Sequence, residues 1–183
     1  MTAGTHVLRI VADQEYFNFA ALRLLPNESP FAGTPAPVPG QIEAEDFDHG
    51  GEGVAYHDLT PGNQGGQYRT DVDVDIIRYP NGAYVVNNFQ TGEWLQYTIQ
   101  VPQTGTYRLE LLVSRRWDVA SRVHVEVDNQ PVTGSVVVPD TGSWDTFWWV
   151  TVGEGTLTAG THVLRIVADQ EYFNFAAFRL LAE

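Results

Sequence analysis

Two glutamates stand at i and i+2 in the run Ile42-Glu43-Ala44-Glu45-Asp46. On a strand that spacing puts both carboxylates on one face. Paired hard oxygens suit calcium, which takes roughly six to eight of them, so Glu43 and Glu45 form a candidate metal site. The stretch from Tyr56 to Arg69, with Asp58, Asn63 and several glycines, reads either as a second ion-binding loop or as a solvated acidic one. His57 and Asp58 are neighbours, so on a strand they face opposite ways and chelate a transition metal poorly. Carboxylates as glycosidase machinery carry little information here. Such catalysis needs two acids roughly 5–10 Å apart, and a chain with 23 acidic residues all but guarantees one such pair. No Ser-His-Asp order, His-Glu-x-x-His, phosphate-binding loop or Gly-x-Gly-x-x-Gly stands out. The chain has no cysteine, which removes thiol catalysis, disulfides and cysteine-ligated zinc. These residues describe a binding protein without catalysis. One aromatic draws notice: Trp144 follows Asp140-Thr141-Gly142-Ser143, a turn composition, and is expected on an exposed loop.

The elements that must position these groups are strands. Tyr107 to Leu111 and Val123 to Val127 alternate apolar and polar residues, as half-buried strands do. Thr161 to Ala168 and Trp148 to Val152 read the same way, and turn residues separate the runs. No window sustains a helical period. Short strands at this spacing predict an all-β fold, a two-sheet β-sandwich of jelly-roll type. Of the 183 residues, 43% are hydrophobic and 12% aromatic, enough for a real core. The net charge of -13 repels polyanions, so nucleic acid and anionic membrane are poor partners, whereas neutral ligands and divalent cations fit. No apolar run approaches the roughly 18 residues of a membrane helix, so no membrane insertion is expected. Met1-Thr2-Ala3-Gly4-Thr5-His6 shows neither the charged leader nor the apolar stretch of a secretion signal.

The strongest internal signal is a repeat. Residues Thr2 to Leu25 recur as Thr158 to Leu181, 156 positions later, with Leu22 against Phe178 as the single difference. Such a match implies a parent with tandem, nearly identical modules. Residues 1–25 then read as the tail of a preceding module, 26–40 as a Pro-rich extended linker, and 41–183 as one complete module. The C-terminal copy, joined by a short turn, is expected to hold the place in its own module. The N-terminal copy, with Val7, Leu8, Ile10, Phe17, Phe19, Leu22 and Leu24, is expected to be buried against a neighbouring copy whose sheet edge it completes.

Seven segments, taken in order, resemble a known family. They are Ile42-Glu43-Ala44-Glu45-Asp46-Phe47, Gly53-Val54-Ala55-Tyr56-His57-Asp58, Pro61 to Arg69, Val74-Asp75-Ile76, Gly92-Glu93-Trp94-Leu95-Gln96-Tyr97, Thr141-Gly142-Ser143-Trp144 and Phe173-Asn174-Phe175. The collinear set is similar to a family 6 carbohydrate-binding module over nearly all of Gln41 to Leu181. The long Tyr-His-Asp to Gly-Gly loop resembles modules attached to enzymes acting on agar and other polysaccharides.

The resemblance implies a bacterial, secreted or extracellular β-sandwich that binds a neutral polysaccharide or oligosaccharide and carries structural calcium. Sugar rings offer C–H faces to aromatic planes, and their hydroxyls need directed donors and acceptors. The implied loop-end site takes its aromatic from Trp144 and an amide from Asn174. Where the family has a second aromatic, six residues before Trp94, this chain has Asn88, with Phe89 beside it and Tyr84 nearby. One-sided stacking with an Asn hydrogen bond is therefore expected. A second site on the sheet face would use Trp94 with Asp73 or Asp75; the competing reading puts Trp94 in the core. For calcium, the family adds an Asp where this chain has Ala176, so Glu43 and Glu45 must act without it. The repeat also supports a different class of function: a structural unit of an extracellular filament, matrix or adhesin built from tandem copies.

Overall fold

A computed structural model describes residues 7–14, 16, 18–21, 28–116 and 120–183. Its strands are β1 (Ala36–Pro37), β2 (Gly40–Glu43), β3 (Tyr56–His57), β4 (Ile76–Arg78), β5 (Tyr84–Phe89), β6 (Trp94–Val101) and β7 (Gly105–Ser114). They continue as β8 (Ser121–Val127), β9 (Gln130–Pro131), β10 (Val136–Val138), β11 (Trp148–Leu157), β12 (Gly160–Gln170) and β13 (Phe173–Ala182). One sheet runs β1-β6-β12-β8-β10, with β3 on β6 and β9 on β8. The other runs β11-β7-β13-β5-β4, with β2 on β13. All pairings are antiparallel except β1 with β6.

The alternation in the sequence becomes the two inner faces. Leu95, Tyr97 and Ile99 of β6, Leu164 and Ile166 of β12, and Val123 and Val125 of β8 are buried from one sheet. Leu109, Leu111 and Val113 of β7, with Phe173, Phe175 and Phe178 of β13, meet them from the other. Tyr97 packs edge-on against Phe178 at 4.7 Å, and its hydroxyl donates to the Ala44 carbonyl at 2.8 Å. Aromatic rings packed this way add specificity to the area they bury.

Part of the expected linker is not free. Ser29 bridges to His49, Phe31 stacks on the His49 ring at 5.6 Å, and Ala36–Pro37 pairs with Ile99–Gln100. Val38 is buried in the core cluster. Residues 29–39 therefore belong to the sandwich, through the backbone pairing of Ala36–Pro37 with β6, the burial of Val38 and the stacking of Phe31 on His49. Of the N-terminal copy, the described residues Val7, Leu8, Ile10 and Phe19 are exposed and lie in no strand; Phe17, Leu22 and Leu24 lie outside the described residues.

Candidate functional site

Four separate segments meet at one end of the sandwich and line a cleft of about 540 Å³. Ile77, Arg78, Tyr79 and Pro80 come from β4 and its turn, Asn87 and Asn88 from β5, Trp144 and Asp145 from the loop before β11, and Tyr172 and Asn174 from the β12–β13 connection and the start of β13. The volume falls in the roughly 300–1,000 Å³ range of small-ligand sites. Trp144 is half-buried, with its loop pinned from below. Its carbonyl accepts from Ser114 Oγ at 2.6 Å, Tyr79 Oη at 2.9 Å and Asn174 Nδ2 at 3.3 Å. Asn174 Nδ2 also reaches Tyr79 Oη and Ser114 Oγ. Asn174 is only 6% exposed and its amide nitrogen is spent on this network, so it sets the Trp144 loop more than it offers a donor to the cleft. Tyr79 meets Phe147 edge-on at 5.6 Å, and burial raises its phenol pKa, with Asp145 adding to the shift.

Two strand irregularities aim the amides. The β13–β7 register slips between Phe175 and Ala177, leaving Ala176 unpaired, and the β13–β5 register slips between Phe173 and Phe175. Bulges of this kind redirect side chains beside functional sites. Asn88 takes a left-handed φ of 57°, which Asn tolerates better than most residues. The result breaks the alternation of β5: Asn87 and Asn88 both reach the cleft, and Phe89 turns inward. Phe89 is therefore not a site residue. It is 2% exposed, meets Phe173 edge-on at 5.3 Å and stacks with Phe175 at 6.4 Å. Tyr84 does not line the cleft; it packs against Tyr68 at 4.7 Å, with Arg78 over its ring at 5.8 Å. Sequence reasoning missed Tyr79 and Tyr172. The first precedes the turn signature Pro80-Asn81-Gly82, which was the available signal, and the second lies in the short connection from β12 to β13.

Asp73 and Asp75 hold a loop rather than a sheet-face site. Asp73 accepts from Gly62 N at 2.7 Å and pairs with Tyr56 Oη at 3.2 Å; Asp75 accepts from Gln64 N at 2.6 Å and from Asn88 Nδ2 at 3.1 Å. Asn63 is equally occupied, accepting from Gly66 N and Ile76 N and donating to the carbonyls of Gln67 and Arg69. Gly65 lies so close that a Cβ there would sit 2.1 Å from the Ile76 carbonyl oxygen. The whole loop thus braces β4 and, through Asp75, the Asn88 amide. Trp94 is half-buried on the outer face of its sheet, not in the core. The Arg165 guanidinium lies 4.1 Å from its ring centroid and is held by Gln96 Oε1 at 2.8 Å and Glu126 Oε2 at 3.4 Å. A ligand stacking on this face of Trp94 must first displace that cation.

At the start of the sandwich, Glu45 is 6% exposed and its Oε2 is buried without a hydrogen-bond partner. Burial, with Asp46 and Glu43 nearby, pushes its carboxyl up to about 7. Glu43 is exposed and accepts from Gln41 Nε2 at 2.8 Å. The two carboxylates do not share a strand face as their spacing predicted: Glu43 ends β2 pointing to solvent, while the chain turns into a 3₁₀ turn over Ala44–Asp46 that buries Glu45. The orphaned Glu45 oxygen is the part of the pair that suits a hard cation. Among the described residues no group of three acidic or histidine side chains converges.

A model of carbohydrate binding module (family 6) matches residues 64–182. An alpha-agarase of Thalassotalea agarivorans is 31% identical over 100 residues, 54% of this chain and 7% of the enzyme. The beta-agarase AgaO of Microbulbifer thermotolerans is 29% identical over 136 residues, 72% of this chain and 10% of the enzyme. The chain thus spans no more than a tenth of these curated relatives. Among solved structures, CsCBM6-3 from Clostridium stercorarium in complex with cellobiose superposes with a TM-score of 0.61 at 19% identity, covering 82% of this chain and 99% of that one. At that identity the likeness speaks for the fold.

Proposed function

Because the chain belongs to family 6 of the carbohydrate-binding modules, we propose that the Trp144 cleft is where it takes its sugar, and that the ligand is a neutral polysaccharide of the agar type. The observation that carries this is a partly exposed Trp144, its backbone carbonyl accepting from three donors, on a cleft with Tyr79, Tyr172, Asn87 and Asn88 on its walls. An aromatic on a backbone fixed in this way stacks a sugar face at less cost in ordering, and amides beside it satisfy hydroxyls. The names of the two agarases favour agar galactans as the substrate class. Family 6 modules bind without catalysis, and we read this chain as non-catalytic and extracellular, with bound calcium at Glu43 and Glu45 as a structural support. The near-perfect repeat further supports neighbouring copies of the same module in one parent, which would multiply weak single-site binding.

The test is affinity electrophoresis and titration calorimetry on agarose and its oligosaccharides, with Trp144→Ala. Wild type should be retarded, and the variant should lose most of its affinity, because a stacking contact is worth about 1 kcal/mol or more beyond area burial. A variant retarded like wild type in every gel that retards wild type would remove the cleft from the mechanism.

A further inference from the structure

The consecutive strands β12 and β13 cross from one sheet to the other and complete both. β12 lies between β6 and β8, and β13 lies between β7 and β5, so neither is an edge strand. Their sequence occurs twice, Thr2–Leu25 repeating Thr158–Leu181 with one change. Val7–Gln14 repeats Val163–Gln170 residue for residue. Leu164 and Ile166 are fully buried between the sheets, whereas their counterparts Leu8 and Ile10 are 55% and 54% exposed. Identical sequence carries identical alternation, and hence the same fit to a place with a strand on either side. Addition to an outer edge does not fit: it would pair only one side of strands whose sequence is satisfied by two partners. The single difference replaces Phe178, which packs edge-on against Tyr97, by a smaller leucine. Together with the short turn Thr158-Ala159 from β11, that explains why the C-terminal copy holds the place in its own module.

We propose that the N-terminal copy is a second, competent closing strand pair whose partner is another copy of this module with the β12–β13 place open. It inserts between the strands equivalent to β6 and β8 and between that equivalent to β7 and those equivalent to β5 and β2, an exchange of identical elements between copies. This rests on the tandem reading and does not depend on what the Trp144 cleft binds, although the exchanged element also brings the counterparts of Tyr172 and Asn174.

The experiment uses the full chain with one aspartate in either copy. Ile166→Asp disables the resident strand pair, and Ile10→Asp disables the other. The Ile166→Asp chain should keep near-UV circular dichroism and a cooperative guanidine transition, because its N-terminal copy fills the open place. The double variant should lose both. Refolded with an equimolar amount of wild type, the double variant should be recovered in a 1:1 complex by size exclusion with light scattering; refolded with the Ile10→Asp chain, it should not. If Ile166→Asp is as unfolded as the double variant, the second strand pair is not competent and the proposal fails. If Ile166→Asp folds but wild type captures no double variant, exchange between copies is overturned. Ile10→Asp alone should bind agarose as wild type does, so a failure of the sugar reading leaves these outcomes unchanged.

Discussion

The orphaned carboxylate of Glu45 gives a measurable consequence. Its folded-state carboxyl lies at about 7 against an ordinary 4.5, through burial first and then the neighbouring Asp46 and Glu43. A raised carboxyl means that the folded state holds the proton more tightly than the unfolded chain. Below about pH 4.5 both states are protonated and the group is neutral to stability. Between pH 4.5 and 7 stability falls as the folded state resists ionisation, and above pH 7 the full penalty applies. At about 1.4 kcal/mol per pH unit, that penalty reaches up to about 3 kcal/mol. Glu45→Gln keeps the shape and removes the charge. In chelator at pH 8 the variant should be the more stable by up to about 3 kcal/mol, with the difference closing by pH 4. Asp48 and Glu93 are also buried acids raised to about 6 and about 7, so the wild-type-to-variant difference, not the raw pH curve, is the reading. Calcium should reverse the order once it is at about a thousand times its dissociation constant, where binding adds about 4.1 kcal/mol to the wild type and little to the variant. The assay is guanidine unfolding from pH 4 to 8 with chelator or calcium. Superimposed curves for the two proteins at pH 8 in chelator would show that the Glu45 carboxylate is not held in a desolvated place, and the argument would fall.

Tyr79→Phe removes one of three donors to the Trp144 carbonyl; a loss of about 1 kcal/mol, about fivefold in agarose affinity, should appear by calorimetry with little change in melting temperature. Phe89→Ala should cost about 3–5 kcal/mol of stability in guanidine unfolding, because the ring sits between Phe173 and Phe175. Retention of wild-type stability would place the ring in the cleft after all. Arg165→Ala uncovers the Trp94 ring; if the Trp144 cleft is the working site, agarose affinity by calorimetry should stay within about twofold of wild type, a change of about 0.4 kcal/mol.

The sandwich was legible in the residues because β-alternation is local: Val123-His124-Val125-Glu126-Val127 declares its inner face without reference to any partner. The same holds for β7 and β12, and for the repeat, which is a property of the string alone. The resemblance carried by Gly92-Glu93-Trp94 and Thr141-Gly142-Ser143-Trp144 also lies in the sequence, and it marked the end of the molecule at which to look. What the sequence could not determine was parity and company. A one-residue bulge moves every later side chain to the other face. Register slips in β13 pairing and the left-handed Asn88 therefore decided that Asn87 and Asn88 share the cleft while Phe89 fills the core. The cleft itself draws Tyr79, Asn88, Trp144 and Tyr172 from four places up to 93 positions apart. The Trp144 loop is set by donors from Tyr79, Ser114 and Asn174. Those juxtapositions arise from strand pairing across two sheets, which no local pattern encodes. The run Ser29 to Pro39 shows the same division: its Pro-rich composition says extended chain, and only the pairing of Ala36–Pro37 with β6 and the burial of Val38 decided that the extended chain lies docked.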